Sequence, residues 1–361
     1  MKILYGVQAT GNGHITRARA INRWFSKFGI DVDFLFSGRA REDFWDMQEF
    51  GEWQCKRGLT FIHKAGNISI ASTIRRNSLL QLYQDARALD LSAYDLVLTD
   101  FEPITAWASK LQKKPCVGVG HQYAFSNDVP RRGDDFAASA IMKNFAPVSI
   151  GLGLHWHHFG GAILPPIAET HDTDEPNDPN KVVVYLGFED ATKVIELLEP
   201  LDNHNFAFYG PFPEHEKHGH IDLKPLSREG FKHDLATAGG VICNAGFELS
   251  SEAIQLGKKL LVKPLMGQME QLSNAEALNV LGLGMSMDTL DRSIVSDWLK
   301  QPEGKRVIYP DVAYAIVEWL SKGEWDNQNS INALVNTLWQ QTNGEGIASF
   351  EKAPSPNLKT L

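Results

Sequence analysis

The sequence predicts an α/β protein made of two Rossmann-like halves, and three observations support this fold class. Short apolar runs alternate with helix-like stretches, which is the pattern of proteins with parallel sheets. The alternating series occurs twice, and each series opens with a strand and a glycine turn. Between the two series lie residues 165–180, which are rich in Pro, Asp, Asn, Glu and Thr and are typical of an interdomain linker.

The first series contains five strand-like runs. They are KILYGV, DVDFLFSG, LTFIHK, YDLVLTD and PCVGVG, with helix-like segments at residues 15–28 and 79–89. The second series contains the strand-like runs KVVVYLGF, NFAFYG, GGVICNAG and KKLLVKP, with the helix-like ATKVIELLEPL after the first run. We therefore expect one domain over residues 1–164 and another over residues 165–325.

A last helix is predicted near the C-terminus, over residues 326–343. Its apolar side chains fall on one helix face, at Ile331, Leu334, Val335 and Leu338. We expect this helix to pack back on the first domain. Residues 344–361 lack periodicity and include two prolines, so we expect them to form a loose tail.

Composition and charge exclude several classes of protein. No apolar run approaches the ~20 residues of a transmembrane helix, and the chain starts with a strand-like run, so we expect neither a membrane span nor a signal peptide. Three cysteines, Cys55, Cys116 and Cys243, have no paired spacing, which indicates reduced thiols in a cytoplasmic protein. The net charge of −9 without a basic stripe argues against nucleic-acid binding. Peripheral contact with anionic lipid stays open.

A glycine loop carrying a histidine follows the first strand. The pattern GxGHxxR places Gly11, Gly13, His14 and Arg17 at the start of a helix. Glycines allow a tight turn and close approach of a ligand, and the helix N-terminus favours an anion. An imidazole titrates near neutral pH and accepts an alcohol proton, so His14 is the candidate general base. The alternative is a polar residue that caps the helix.

Two more polar side chains are expected at the same sheet edge. Asp100 ends the strand YDLVLTD, and His121 follows the strand PCVGVG. Because the carboxyl ends of parallel strands meet at one edge, the Asp100 carboxylate is expected behind His14, where it would fix the tautomer and stabilise the imidazolium. The alternative for Asp100 is a turn or N-cap residue. His121 is assigned to acceptor contact.

The stretch from Val241 to Ala275 predicts a second site. It consists of a strand, a tight turn, a helix, another strand and a loop. The turn opens the helix, so its backbone N–H groups suit a diphosphate without a metal. The turn residues are Asn244, Ala245, Gly246 and Phe247. Glu252 lies about two turns into the helix, where the alternative is an exposed surface residue, and the loop carries Glu270 and Gln271. Carboxylates and amides are suitable partners for vicinal hydroxyls.

These residues resemble the donor-binding signature of GT-B-fold glycosyltransferases. That group includes the bacterial enzyme that makes the peptidoglycan lipid precursor, the galactolipid synthases and the plant UDP-glycosyltransferases. The signature is met here by Gly246, Glu252, Gly257–Lys258, Pro264 and Glu270–Ala275. With GxGHxxR added, the whole chain resembles a bacterial and archaeal branch of such transferases.

The resemblance implies an inverting glycosyltransferase that needs no metal or other cofactor. It would move a sugar from a UDP-sugar to an alcohol acceptor, which is a lipid, a glycan or a small molecule. By position, Glu252 would bind the ribose hydroxyls, and Glu270 and Gln271 would bind the transferred sugar. Gly246 and its neighbours would hold the diphosphate, and Gly187, after the strand VVVYLG, would also approach phosphate.

The same resemblance makes His14 the base and Asp100 its partner. The chain departs from the plant signature, which has a histidine where Cys243 or Asn244 stands and Trp-Asn-Ser after its glycine. Phosphate contacts are therefore expected to rest on the backbone. Two alternatives remain: a nucleotide-sugar hydrolase or epimerase of the same fold, and a non-catalytic protein that binds nucleotide sugars.

Three further patterns are interpreted as incidental. Asp31–Val32–Asp33 spells a DxD metal motif, but it enters the second strand, away from the expected cleft. Two histidine clusters lack the spacing of a zinc site, so both are expected on surface loops. They are His155, His157 and His158, and His215, His218 and His220.

Overall fold

The computed structural model describes residues 1–59, 63–64, 67–68, 79–133, 142–169 and 175–344. In these residues the first half of the chain forms the strands β1 (Lys2–Gln8), β2 (Asp31–Ser37), β3 (Trp53–Lys56), β4 (His63–Lys64), β5 (Asn67–Ile68), β6 (Leu96–Asp100), β7 (Cys116–Gly120), β8 (Ile150–Leu154) and β9 (Ile163–Leu164). Its helices are α1 (Asn12–Phe25), α2 (Leu79–Ala88) and α3 (Pro103–Gln112).

The second half repeats the alternation of strands and helices. Its strands are β10 (Asp178–Tyr185), β11 (Asn205–Gly210), β12 (Glu216–His218), β13 (Ile221–Pro225), β14 (Ala238–Asn244), β15 (Lys259–Lys263), β16 (Met285–Ser286), β17 (Val307–Ile308) and β18 (Asn343–Gly344). Its helices are α4 (Ala191–Leu198), α5 (Arg228–Thr237), α6 (Phe247–Gln255), α7 (Met269–Leu281), α8 (Arg292–Leu299), α9 (Val312–Ser321) and α10 (Gln328–Gln341).

Each half contains one large sheet, which confirms the predicted α/β class. The first sheet has the order β3-β2-β1-β6-β7-β8-β9, and its paired strands are parallel. The second has the order β12-β13-β11-β10-β14-β15-β16, and β12 pairs with β13 in antiparallel fashion at one edge. The central strands are continuous apolar runs because both faces of a parallel sheet are covered by helices.

The prediction of the third strand was wrong in position. The strand next to β2 is Trp53–Lys56, whereas the predicted run LTFIHK begins at residue 59, three residues after this strand ends. Residues 60–62 of that run lie outside the described part of the chain, and His63–Lys64 pairs with Asn67–Ile68 outside the large sheet. Strand β3 has no strong apolar pattern because it is a half-exposed edge strand.

The last two helices lie against the first half. Tyr314 of α9 packs edge-on against Trp24 of α1, with ring centroids 5.1 Å apart. Trp339 of α10 donates a hydrogen bond from its indole nitrogen to the carbonyl of Ile163 at 2.6 Å. Of the predicted tail, residues 345–361 lie outside the described chain. The chain therefore crosses from the first half to the second and then returns.

Candidate active site

Each sheet has a point where the strand order changes direction. The chain moves outward from β1 through β2 to β3 and then returns to the other side of β1 with β6, and β10 and β14 are the corresponding neighbours in the second sheet. Ligands of open α/β sheets bind at the carboxyl ends of the strands at such points. The structure places four predicted residues there: His14 follows β1, Asp100 ends β6, Gly187 follows β10 and Asn244 ends β14.

The side chains of His14 and Asp100 form a hydrogen-bonded pair. Nδ1 of His14 lies 2.7 Å from Oδ1 of Asp100, and the Asp100 side chain is completely buried. Nδ1 also lies 3.0 Å from Nη2 of Arg17, but the contact with the carboxylate is shorter. An ionised carboxylate only accepts hydrogen bonds, so we assign the proton to Nδ1, which leaves Nε2 as the nitrogen that can accept one. Phe101, the next residue, has a φ of 54°, a strained conformation of a kind that clusters at functional sites.

Arg17 completes this cluster. Its Nε donates to Oδ2 of Asp100 at 2.7 Å, and its Nη2 donates to Oδ1 at 2.6 Å. Burial by itself would raise the pKa of Asp100, but the charge of Arg17 and the hydrogen bonds from His14 and Arg17 hold that pKa below its ordinary value. Burial likewise disfavours the charged form of Arg17, and Asp100 and Glu248 outweigh this effect and raise its pKa. Asp100 is therefore ionised at neutral pH.

Three helices that begin around the site have no side-chain cap. They are α1, α6 and α7, which start after Gly11, Gly246 and Gln268. The other helices with a described N-cap residue have a capping side chain, from Glu102, Asp190, Ser227, Asp291, Asp311 or Asn327. Helix N-terminal N–H groups without a cap favour an anion. A Cβ atom at Gly246 would meet nothing within 4 Å, so the backbone there is open to a ligand.

The turn between β14 and α6 is held against the first half. Asn274 donates from Nδ2 to the carbonyl of Ala245 at 3.0 Å, and its Oδ1 lies 2.6 Å from Nε2 of His121. The His121 ring stacks on Phe247, with ring centroids 4.1 Å apart and planes within 7° of parallel. The predicted diphosphate turn is therefore fixed by side chains from both sheets.

Glu252 is buried in α6 next to this turn. Its relative exposure is 9%, and no described residue donates a hydrogen bond to its carboxylate. Burial raises the pKa of Glu252 to about 8, with a further contribution from Glu169 and an opposing one from Lys232. A buried carboxylate without donors is an unfavourable arrangement that hydroxyl groups of a ligand would relieve.

The remaining predicted residues have different environments. Glu270 accepts a hydrogen bond from Nε2 of Gln122 at 3.1 Å, so it lies across from the first half. Gln271 is buried, and its Oε1 accepts from the backbone N–H of Leu265 at 2.8 Å. Its carbonyl therefore shapes the loop before α7. Gly187 is exposed after the end of β10.

Comparison with known proteins decides the family. The model of glycosyl transferase family 1 matches residues 1–302. The chain belongs to this family. It is a glycosyltransferase, as the sequence predicted.

Solved structures share its fold over almost the whole chain. The glycosyltransferase SnogD from Streptomyces nogalater is 14% identical, with a TM-score of 0.55 over 92% of this chain and 99% of SnogD. MurG of Acinetobacter baumannii is 13% identical, with a TM-score of 0.51 over 94% of this chain and 99% of MurG. These likenesses confirm the predicted GT-B fold. No curated protein matches the chain.

The environments of three histidines in this glycosyltransferase differ from those expected. His121, assigned to acceptor contact, is fully buried, and its second ring nitrogen lies 2.8 Å from the carbonyl of Leu154. It is therefore enclosed between the halves. His155 and His158, expected on a surface loop, are 1% and 5% exposed, because they pack among aromatic rings such as that of Trp339. The sequence around them gave no sign of these distant partners.

The other incidental patterns agree with the prediction in part, because His218 belongs to the strand β12 and not to a loop. Asp33, of the DxD sequence, is on β2 and forms an ion pair with Lys2 at 3.1 Å. His215 and His218 are exposed at the edge of the second sheet, while His220 is half-buried. Within the described residues, no group of three or more His, Cys, Asp and Glu side chains is arranged to hold a metal ion. No helix in the described ranges is long and apolar enough to cross a bilayer.

Two charged groups at the site were not predicted from the sequence. Glu248, in the first turn of α6, accepts a hydrogen bond from Nη1 of Arg17 across the two halves. Lys263, at the end of β15, forms an ion pair with Glu189 at 2.7 Å, and both side chains are at most 10% exposed. The signal for Lys263 was its position at a strand end in KKLLVKP. The signal for Glu248 was an acidic residue in the first turn of the predicted donor helix.

Proposed function

We propose that this glycosyltransferase moves a sugar from a UDP-type donor to an alcohol acceptor with inversion and without a metal. One observation carries the proposal. The hydrogen-bonded pair of His14 and Asp100 lies at the switch point of one sheet, and the uncapped N-terminus of α6 lies at the switch point of the other. A base and an anion site on opposite sides of one cleft are the parts that such a displacement needs.

In the proposed reaction, the acceptor oxygen attacks the anomeric carbon from the side opposite the diphosphate. Nε2 of His14 takes the hydroxyl proton as the new carbon–oxygen bond forms, and the ionised Asp100 stabilises the resulting imidazolium. The bond from the anomeric carbon to the phosphate oxygen breaks, and the leaving diphosphate takes up the electron pair. The backbone N–H groups at Gly246 and the start of α6 stabilise that charge.

Glu252 supports a ribose-containing donor. Its side chain is largely buried about two turns from the proposed diphosphate site, and its carboxylate has no hydrogen-bond donor among the described residues. The two ribose hydroxyls of a nucleotide would supply such donors. Glu270 and Gln271 lie at the start of α7, another helix without a side-chain cap. We assign the hydroxyls of the transferred sugar to these two side chains.

The acceptor side of the first half supports an alcohol with an apolar portion. An apolar cavity of about 490 Å³ lies beside α2 and α3, lined among the described residues by Leu59, Leu79, Leu82, Tyr83, Trp107, Asn144 and Phe145. Phe145 stacks on Phe101, the residue after Asp100, with ring centroids 4.9 Å apart. Through Phe145, the cavity therefore reaches the residue that follows Asp100 at the end of β6.

A turnover assay tests the proposal. The enzyme is incubated with a panel of UDP-sugars, with and without apolar and polar alcohols, and released UDP and glycosylated product are both measured. We expect UDP release that depends on an acceptor. UDP release without an acceptor would indicate hydrolysis, and binding without turnover would indicate a nucleotide-sugar sensor. A thermal-shift screen over nucleotides and UDP-sugars identifies the donor first, because a bound ligand raises Tm by mass action.

Metal removal tests the role assigned to the helix N-terminus. We expect activity to survive EDTA, since the N–H groups of α6 are proposed to carry the charge of the diphosphate. The check is the rate of transfer before and after chelation and after addition of Mg²⁺. Loss of activity with EDTA and recovery with Mg²⁺ would contradict the proposal.

A further inference from the structure

The GxGHxxR helix and the donor helix meet directly across the two halves. Arg17 of α1 donates from Nη1 to Glu248 of α6, while its other two nitrogens hold Asp100. The Arg17 side chain is 1% exposed and that of Glu248 is 21% exposed, so the ion pair is largely shielded from water. One guanidinium therefore joins the carboxylate behind the base to the first turn of the donor helix.

Gly13, from the same motif, provides the space for this contact. A Cβ atom at Gly13 would overlap the carboxylate of Glu248. The backbone at Gly13 does not have a positive φ, so an alanine would fit its conformation. Steric room for Glu248, rather than backbone freedom, therefore explains the glycine.

The charge of Glu248 is unexpected at this position. An acidic side chain at a helix N-terminus is favourable by itself, but here it would compete with the diphosphate that we place at the same turn. Because the carboxylate contacts Arg17 instead, its charge is neutralised and turned toward the first half. The N-terminus of α6 is then left for the donor.

We propose that Glu248 is a positioning residue that couples contact between the two halves to the orientation of the base; this inference rests on the proposed function. When α6 lies against α1, Glu248 holds Arg17, Arg17 holds both oxygens of Asp100, and Asp100 holds His14 with Nε2 ready to accept a proton. When the halves separate, Arg17 loses one of its two carboxylates and the base is less firmly oriented.

The first test is Glu248→Gln, which keeps the shape and removes the charge. We expect kcat to fall roughly tenfold or more, the value of a hydrogen bond between charged groups. The Kd for UDP, measured by calorimetry, should stay unchanged or become tighter, because a negative charge leaves the donor helix N-terminus. A general structural defect would weaken both. The control is Asp288→Asn, which removes the exposed ion pair with Arg132 between the halves and should change neither quantity.

The second test reaches the same contact from the other half. Gly13→Ala should displace the Glu248 carboxylate and lower kcat by a similar factor. In a Glu248→Ala background the obstacle is gone, so the same Gly13→Ala change should add little. Residues that act through one contact give such non-additive effects in a double-mutant cycle. Additive losses in kcat would overturn the inference.

A readout without turnover separates this inference from the proposed function. Hydrogen exchange measured by mass spectrometry over residues 11–17 should be faster in Glu248→Gln than in wild type, since the contact between α1 and α6 is weaker. If wild type neither binds UDP nor transfers sugar, the proposed function fails, and faster exchange in the variant still supports the coupling. Unchanged hydrogen exchange together with a wild-type kcat in Glu248→Gln would overturn the proposed coupling.

Discussion

The two sheet edges that form the cleft differ in how their polar groups are satisfied. At the first edge, Asp100 receives hydrogen bonds from Arg17 and pairs with His14, so a fully buried carboxylate has protein partners. At the second edge, the helix start at Gly246 is uncapped and the buried Glu252 has no donor from the described residues. The polar groups of the first edge are satisfied by the protein itself, whereas under the proposed function a ligand would satisfy those of the second.

This difference shows which buried carboxylate is stabilised by the protein itself and which is not. The pairing of Asp100 keeps its pKa below the ordinary value in spite of burial, so the charge needed for catalysis is stable in the free protein. Burial raises the pKa of Glu252 to about 8, so its ionised form is unfavourable as long as no hydrogen-bond donor contacts it. Under the proposed function, the first edge would be preorganised for the reaction, and the second edge would gain affinity because a ligand supplies the missing hydrogen bonds.

The largest expected effect breaks the first edge at its base. His14→Ala should lower kcat by ~100- to 10,000-fold, the usual contribution of general-base catalysis, and leave the Kd for UDP nearly unchanged. Steady-state kinetics and calorimetry measure the two quantities. His218→Ala, which changes an exposed histidine of the second half, is the control and should have no effect. Full turnover in His14→Ala would remove this residue from the reaction.

The next effect removes the charge behind the base. Asp100→Asn should lower kcat roughly 100-fold, because the imidazole can settle in the wrong tautomer. It should also lower the free energy of unfolding, by at most ~3–5 kcal/mol, since the buried Arg17 keeps Glu248 but loses its other carboxylate partner. The double variant with His14→Ala should lose less than the product of the two single losses. A kcat equal to that of the exposed control Asp297→Asn would show that Asp100 does not act on the base.

A smaller effect is expected at the second edge. Glu252→Ala should weaken UDP binding by ~1–3 kcal/mol, the cost of losing charged hydrogen bonds to the ribose hydroxyls. Calorimetric titration with UDP is the measurement, and Glu318→Gln on α9 is an exposed control. Equal affinity for UDP in wild type and Glu252→Ala would place the ribose elsewhere.

A last prediction sharpens the comparison through pH. The pKa of Glu252 is raised from 4.5 to about 8 in the folded chain, so the folded state keeps a proton that the unfolded state loses in between. Stability should therefore fall as pH rises from about 5 to 8, by about 1.4 kcal/mol for each pKa unit that is expressed. Glu252→Gln removes this term, so its stability relative to wild type should increase over that window. Parallel Tm profiles for the two proteins would contradict the assignment.

The central parts of the fold could be predicted because their signals are local. The strands YDLVLTD and PCVGVG are continuous apolar runs, and the structure has them at Leu96–Asp100 and Cys116–Gly120. Edge elements such as Trp53–Lys56 and Glu216–His218 are half-exposed or short, so their composition does not separate them from loops. Apolar patterns in the sequence indicate strands that are buried on both faces. They do not indicate which residues pair at the edge of a sheet.

The site divides in the same way. His14 and Asp100 could be placed together because His14 follows the end of one strand and Asp100 ends another. The carboxyl ends of parallel strands lie at the same edge of the sheet. The contact of Arg17 with Glu248 spans 231 residues of sequence and depends on how the halves pack, which no local pattern encodes. The burial of His121 depends on Phe247 and Asn274 of the other half for the same reason.

The return of the chain to the first half has a mechanical consequence. The halves are joined once by the segment after Ile163–Leu164 and again before α9, whose Tyr314 packs on Trp24. Two bodies joined at two points rotate most easily about the line through those points, and twisting or sliding meets more resistance. The indole of Trp339, bonded to the carbonyl of Ile163, lies beside the first of these joints. If the cleft opens, rotation about this line would return Glu248 to Arg17 at each closure, as the proposed coupling requires.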